Sequence, residues 1–343
     1  MDQSAERMKT IARVATLLLF TLPLTRAAEF VEPAGNRLRF RNGDATLVLD
    51  RAPWHLQLLG LGDVVHFDEA SAPAFQLGGE WIALAKITAT ETTARQAAHL
   101  KAELANGQPA TVDISAAGPD GFRVIIRVAR ASGTSAAPIA GVGSDAVTAV
   151  RGATRLAMVE EVYGFGEMWN GHVAQRGQSF DLWDHGGTPD ECAYMPYYVS
   201  TRNYAFFLNY GGRVHIDAGQ RRADVLTYEG PARELDVTLV AGTSIASTVQ
   251  NFLTIVGLPQ RPPRWSFKPW FWLMGDPNRP GARIETLKDH HFIEMVNKLH
   301  AMDIPIGVTW FEPPWQTART TFVPNPQFSH DLPGLVRRHR ALG

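Results

Sequence analysis

The residues able to do chemistry crowd into one stretch, EVYGFGEMWNGHVAQRGQSFDLWDHGGTPDECAYMPYYVSTRNYAFFLN, which runs from Glu161 to Asn209. Gly164 and Gly166 bracket Phe165, and Trp169-Asn170-Gly171 is a turn signal. A polar, acid-bearing loop from Asp181 to Glu191 then runs into Tyr194, Tyr197 and Tyr198. Turn residues, Trp and carboxylates in one place suit a surface that lies against a sugar. The apolar faces of a sugar ring pack on aromatic planes, while its hydroxyls need a few oriented acceptors. Composition alone is equally compatible with a hairpin carrying a decorated turn.

Other chemistries fit these residue types less well. His290-His291-Phe292-Ile293-Glu294 puts His291 and Glu294 on one helical face, but without the spacing of known zinc motifs, and His291 falls on an apolar stripe. Asp181, Asp184, Asp190 and Glu191 do not follow the order of an EF-hand loop. Gly164-Phe165-Gly166 lacks the third glycine and the following helix of a dinucleotide site, and no Ser-centred nucleophile elbow is present. Cys192 is the single cysteine, so no internal disulfide can form, and a small buried side chain describes it better than a catalytic thiol. We therefore expect neither a metal nor an organic cofactor.

The elements that must position such a surface follow from length and pattern. The chain has 343 residues, a formal net charge of −1 and 45% hydrophobic residues, enough for about two domains with real cores. Near-neutral charge without Lys/Arg blocks argues against nucleic acid or an anionic membrane as partner. Lys9 and Arg13 precede an apolar run from Val14 to Leu24 and small residues at Ala27 and Ala28. Residues 1–27 thus read as a secretory signal peptide, and cleavage leaves no membrane anchor. Export without disulfides suggests a bacterial periplasm or outer surface.

Residues 28–258 carry the pattern of antiparallel sheet. The turn Asn42-Gly43-Asp44 separates two strand-like runs, and further strands are expected at Trp54 to Leu59, Trp81 to Ile87, Thr111 to Ile114, Phe122 to Val128, Tyr204 to Leu208, Arg213 to Ile216, Asp224 to Tyr228 and Leu235 to Val240. Many short strands without intervening helices imply a β-sandwich. Ala131 to Asp145, rich in Ala, Gly and Ser, reads as a surface loop, and Ser247 to Val256 as a short helix. Pro259 to Arg264 is a stiff connector, after which the pattern changes. Trp265 to Met274 reads as a strand with Trp270 and Trp272 on one face, and Ile284 to Leu299 as an amphipathic helix. Ile304 to Phe311 reads as a strand buried on both faces, and Asp331 opens a second helix. Strand, helix, strand, helix implies parallel sheet.

At these residues the chain resembles glycoside hydrolase family 31, the α-glucosidase and α-xylosidase family. The matching pieces are YGFGE at Tyr163 to Glu167, RGQ at Arg176 to Gln178, MPYYVSTRNYAFFLN from Met195 to Asn209, PPRWSF at Pro262 to Phe267 and DIPIGVTWFEPPW from Asp303 to Trp315. The resemblance implies a galactose-mutarotase-like β-sandwich followed by the start of a (β/α)8 TIM barrel over 259–343. Such a barrel takes about 250 residues, so the chain is expected to stop after about two βα units. The implied activity is retaining hydrolysis of α-linked glucosides, xylosides or similar glycosides by two carboxylates about 5–5.5 Å apart. The family's nucleophile and acid/base positions lie beyond Gly343, so no catalytic residue is expected in this chain, which alone should be inactive. The partner implied is an oligosaccharide or small α-glycoside.

For substrate binding the resemblance implies Glu312, after the second barrel strand, where relatives commonly carry an Asp that grips sugar hydroxyls. Trp315 is implied as a pocket wall, while strand parity with Trp270 makes Trp272 a candidate either for the pocket mouth or for packing in the barrel core. In xyloside-acting relatives the residue before Gly-Gly in the sandwich loop is an Asp. Here His185 precedes Gly186-Gly187 and Asp184 stands one earlier, so both compete for that contact. A carbohydrate-binding or scaffolding sandwich without catalysis stays open, as does a mutarotase-like sugar epimerase. The latter would need an acid and a base in the sandwich cleft, for which His172 and Glu167 are available without a recognisable motif.

Overall fold

The computed structural model describes residues 29–94, 97–129, 146–168, 170–183, 191–273, 286–311, 315–318 and 321–342. The leader expected over 1–27 and the Ala131 to Asp145 segment lie outside the described residues. The chain divides into two compact units, Met1–Leu258 and Pro259–Gly343.

The first unit carries β1 (Glu29–Ala34), β2 (Arg37–Asn42), β3 (Ala45–Arg51), β4 (Trp54–Leu59), β5 (Val65–Leu77), β6 (Glu80–Ala94), β7 (Ala97–Leu104), β8 (Pro109–Ala116), β9 (Gly121–Val128) and β10 (Val147–Arg155). It continues with β11 (Val162–Met168), β12 (Ser179–Leu182), β13 (Glu191–Ser200), β14 (Tyr204–Leu208), β15 (Val214–Ala218), β16 (Val225–Gly230), β17 (Glu234–Ala241) and helix α1 (Ile245–Val256). Every pairing among these strands is antiparallel. One ladder runs β12-β15-β16-β10-β5-β6, and a second runs β11-β13-β14-β17-β9-β8-β7-β6. The long strands β5 and β6 each take part in two ladders, and β1 to β4 form a meander that joins at β5. The result is mostly antiparallel sheet folded into a sandwich-like, nearly closed body.

Side-chain alternation makes the two faces. Along β7, β8 and β9 the buried positions are Ala98, Leu100, Ala102 and Leu104, then Ala110, Val112 and Ile114, then Phe122, Val124 and Ile126. Every second residue points inward, as the two-residue period of a strand requires. Two ring contacts cross between the ladders: Phe206 on β14 meets Tyr228 on β16 at 5.1 Å between centroids, and Phe165 on β11 meets Phe180 on β12 at the same distance.

Helix α1 covers the outer face of the second ladder. It starts two residues before the expected Ser247, because Ser244 and Ser247 form a reciprocal cap, with N–H···Oγ distances of 3.1 and 2.9 Å. Phe252 stacks on Tyr197 at 4.3 Å and meets Phe207 edge-on at 5.5 Å, within a cluster that includes Val199, Ala205 and Val240.

The second unit is built from β18 (Trp270–Trp272), α2 (Asp289–Ala301), β19 (Val308–Trp310) and α3 (Leu332–Ala341), with β18 and β19 parallel. Both strands are shorter than their apolar runs. Arg264–Phe267 forms a 3-10 turn, and Pro269 has no N–H to extend the ladder before Trp270. The stretch Ile304 to Phe311, expected to be buried on both faces, yields three strand residues, none of them buried. Among the described residues β19 pairs with β18 alone, so it lacks the flanking strand that would cover it. The other strand face packs well: Leu273, Leu287, Phe292, Phe328 and Leu335 form the core with Phe271 and Phe311. Asp331 caps α3 by accepting the Gly334 N–H at 2.8 Å, with Pro333 in the first turn.

Two outcomes follow. Phe252→Ala should lower unfolding stability by about 3–5 kcal/mol in a urea titration, since a ring packed between two others leaves a cavity. Glu69 on β5 is buried, and that burial holds its carboxyl well above the usual range although Oε2 accepts the Leu56 N–H at 3.2 Å. Its folded-state pKa is raised, so its contribution is complete below the unfolded value of about 4.3 and is lost as pH rises through the folded value. The expected slope is about 1.4 kcal/mol per pH unit. Urea midpoints measured across that window should flatten in Glu69→Gln.

Candidate functional site

The stretch from Glu161 onward is anchored by β11 against β13. The register slips between Gly164 and Gly166, where Phe165 adopts φ 68° and its neighbours φ 133° and 97°. A Cβ at Gly164 would stand 2.6 Å from the Tyr197 carbonyl oxygen, and one at Gly166 only 1.9 Å from that of Ala193. Only glycine fits either position, and the resulting bulge turns Phe165 into the core against Phe180 and Tyr198. Beyond the bulge, Arg176 ties the turn down: its guanidinium donates to the carbonyls of Ala157 (2.6 Å), Glu160 and Ala223 (2.8 Å). Gln175, nearly fully buried, donates to the His172 carbonyl and accepts from Asn170 Nδ2, each at 2.8 Å. The buried Glu160 carboxylate accepts from Ser200 Oγ at 2.6 Å and the Ala157 N–H at 2.8 Å.

The aromatic run divides. Tyr198 lies in the core between the ladders and Tyr197 lies under α1, where burial pushes its phenol up to about 12. Neither ring is open to a ligand. Trp183, 40% exposed, stays at the surface with Tyr194 at 6.5 Å, and the Tyr194 hydroxyl donates to the Gly211 carbonyl at 3.2 Å. Asp181 is engaged rather than free: burial raises its pKa, but hydrogen bonds from Arg213 and His215 outweigh that and hold the carboxyl below the usual range. Asp184 and His185 lie outside the described residues.

In the second unit, alternation produces an open aromatic face. Trp270 and Trp272 on β18 stand opposite Val308 and Trp310 on β19. The three tryptophans are 54%, 48% and 50% exposed, with Trp270 and Trp310 5.9 Å apart. Trp270 Nε1 donates to the Ser266 carbonyl at 3.0 Å, which satisfies the polar edge and leaves the ring faces open. The structure thus brings Trp272 together with Trp310, a residue not singled out from sequence, though it shares the parity of Val308 within the expected strand. Trp315 is half-buried against the unit's core and meets Phe322 at 6.2 Å. Its loop is pinned by Thr317 N–H to the Val323 carbonyl (2.9 Å) and Asn325 N–H to the Trp315 carbonyl (2.8 Å). Glu312 lies outside the described residues. Among the described residues no group of three His, Cys, Asp or Glu side chains is placed to hold a metal ion, and no helix is long and apolar enough to cross a membrane.

No protein-family model matches the chain. An α-xylosidase of Emericella nidulans is 30% identical over 118 residues, which is 34% of this chain and 15% of that protein. The α-xylosidase XylQ of Lactiplantibacillus pentosus is 29% identical over 160 residues, 46% of this chain and 20% of that protein. A family 31 α-xylosidase from a soil metagenome, solved with xylose, shares the fold with a TM-score of 0.61 at 12% identity, over 93% of this chain and 38% of that one. The chain is thus similar in sequence to two α-xylosidases and in fold to a family 31 α-xylosidase, and it spans only a minor part of the length of these relatives.

The glycine bulge generates a direct test. Gly166→Ala places a Cβ against a carbonyl oxygen at a left-handed φ, and should cost about 3 kcal/mol or more. Urea unfolding monitored by far-UV circular dichroism reads that loss. Gly171→Ala has φ 78° but open space around it, and should cost about 1 kcal/mol.

Proposed function

We propose that this chain is part of an exported retaining α-glycosidase that acts on α-xylosides or closely similar glycosides. In it the sandwich is followed by the start of a (β/α)8 barrel. The observation that carries the proposal is the sequence likeness to two α-xylosidases, supported by the open tryptophan face on β18 and β19. Sugar rings present apolar C–H faces that pack on such planes, and their hydroxyls are bound by carboxylates at the rim. Glu312 directly follows the segment that carries β19, and takes the role of hydroxyl acceptor beside the Trp315 wall and Trp272. Asp184 or His185 supplies the sandwich loop's contact with the sugar. No catalytic carboxylate is assigned to this chain, which supplies binding surface.

Binding and turnover separate the parts of this proposal. Saturation-transfer NMR with methyl α-xyloside should show signal on the sugar C–H protons, reduced severalfold in Trp272→Ala and in Glu312→Gln. The same protein should release no p-nitrophenol from p-nitrophenyl α-xyloside. Release would show that the chain holds its own catalytic pair. Sugar signal unchanged in both variants would remove Trp272 and Glu312 from the site.

A further inference from the structure

On the outer face of the first ladder, three side chains stand in contact in the order Ser179, His215, Asp181. The Gln178 carbonyl accepts the Ala218 N–H at 2.8 Å, and β12 and β15 then run in register as Ser179↔Asp217 and Asp181↔His215. Bonded and non-bonded pairs alternate along an antiparallel ladder. Ser179 and Asp181 therefore occupy non-bonded positions, where facing side chains come closest. Phe180 and Leu182 turn inward to the core, which leaves Ser179 and Asp181 on the opposite face with His215.

His215 Nδ1 lies 2.9 Å from Asp181 Oδ1, and its Nε2 lies 3.4 Å from Ser179 Oγ. A carboxylate only accepts, so in the neutral ring Nδ1 carries the proton and Nε2 turns its lone pair to the serine hydroxyl. The second oxygen of Asp181 accepts from Arg213. The imidazole is 41% exposed and Asp181 28%, so the ring is reachable from solvent. Two other cross-strand His–Asp pairs of this unit lack the third member. His55 has Asp68 at 2.9 Å from Nε2 and Asp50 at 3.6 Å from Nδ1, which occupies both nitrogens. His99 meets Asp113 at 2.6 Å, without a hydroxyl at its other nitrogen among the described residues.

We propose that Ser179, His215 and Asp181 form a nucleophilic site that hydrolyses short-chain carboxylic esters. Ser179 Oγ bonds to the acyl carbon as its proton passes to His215 Nε2. The ester C–O bond then breaks, and Nε2 gives that proton to the departing alkoxide. Water attacks the acyl-serine and loses a proton to Nε2. The acyl–Oγ bond breaks, the carboxylic acid leaves, and the proton returns to Ser179 Oγ. Asp181 is a positioning residue that fixes the tautomer of His215. The Ser179 N–H points away from β15 at a non-bonded position, and is the donor beside the developing oxyanion. One such donor suits an ester, whose alkoxide departs readily, rather than an amide. Arg213, Asp217 and Glu229 are the neighbours of His215 on its own and the next strand, and these polar groups favour a short acyl group over a long apolar one. The set is complete within β12 and β15. It does not rest on the proposed glycosidase function, since a glycosidic bond has no acyl carbon.

The test uses the full chain. A fluorophosphonate reagent, which phosphonylates activated serines, should label Ser179 as read by peptide mass spectrometry, and p-nitrophenyl acetate should be hydrolysed with turnover. Ser179→Ala, which removes one hydroxyl from an outer-face position, and His215→Gln should each lower kcat/KM about tenfold or more, with the far-UV circular dichroism spectrum unchanged. Asp181→Asn should lower kcat and leave KM as it is, because it frees the tautomer without touching the ester. His99→Gln, at another His–Asp pair, should leave the rate unchanged. Absence of label on Ser179 would overturn the nucleophile. Hydrolysis lost in His215→Gln but kept in Ser179→Ala would be catalysis by a bare imidazole, and would overturn the proposal.

Discussion

The first unit depends on one column of rings. Phe165, Tyr198, Phe206 and Tyr228 are in successive contact, at 5.5, 5.4 and 5.1 Å between centroids. The first three belong to one ladder and the last to the other, so the column ties the two layers across their interior. Each such ring buries a large apolar surface, and paired rings add about 0.5–1.5 kcal/mol beyond burial. Their polar ends constrain the fold as much as their faces do. The Tyr198 hydroxyl donates to Thr154 Oγ1 at 3.2 Å on β10, which fixes where the β10 strand must lie. The column also explains the bulge on β11. Phe165 can enter it only if the backbone turns at a left-handed φ, and flanking glycines make that turn possible against the β13 backbone.

Much of the sandwich was legible because its strands obey simple alternation between turn signals. Trp54–Leu59 matches its expected bounds, and the Asn42-Gly43-Asp44 turn joins β2 to β3. Strands built from other residues were not legible. β7 reads AAHLKAEL, a run of strong helix formers, yet it is a strand because β6 and β8 pair with it on both sides and bury every second residue. Tertiary pairing overrides local propensity there, and a single sequence carries no record of the partner. The opposite error occurs at 304–311. A continuous apolar run suggests burial on both faces, but burial needs neighbours, and β19 has one strand partner among the described residues.

The candidate site was legible to the same degree and for the same reasons. Parity placed Trp270 and Trp272 on one face, and the ladder adds Trp310 by pairing it with Trp272. Such cross-strand neighbours depend on register, which no spacing within one strand reveals. Tyr197 and Tyr198 looked alike as part of an aromatic run, but adjacent strand residues face opposite ways. One packs under α1 and the other between the layers. Among the described residues of the first unit, the exposed large ring is Trp183, just after β12.

The β18–β19 pair gives the two units their chemical difference. Its alternation sends Phe271 and Phe311 into a closed core and leaves three tryptophans half in water. Such a surface is costly to leave in water, so it favours a ligand that is apolar in plane and polar at its rim. A sugar ring has that distribution. A phosphate-bearing polymer does not, since it would need several cations beside the rings, and the chain's formal charge is −1 without basic blocks. The bonded indole nitrogen of Trp270 sharpens the preference further. With its N–H already donated to Ser266, that ring offers a ligand its face rather than a hydrogen bond. In the proposed site, selectivity among sugars would come from the polar groups around the rings rather than from the rings themselves.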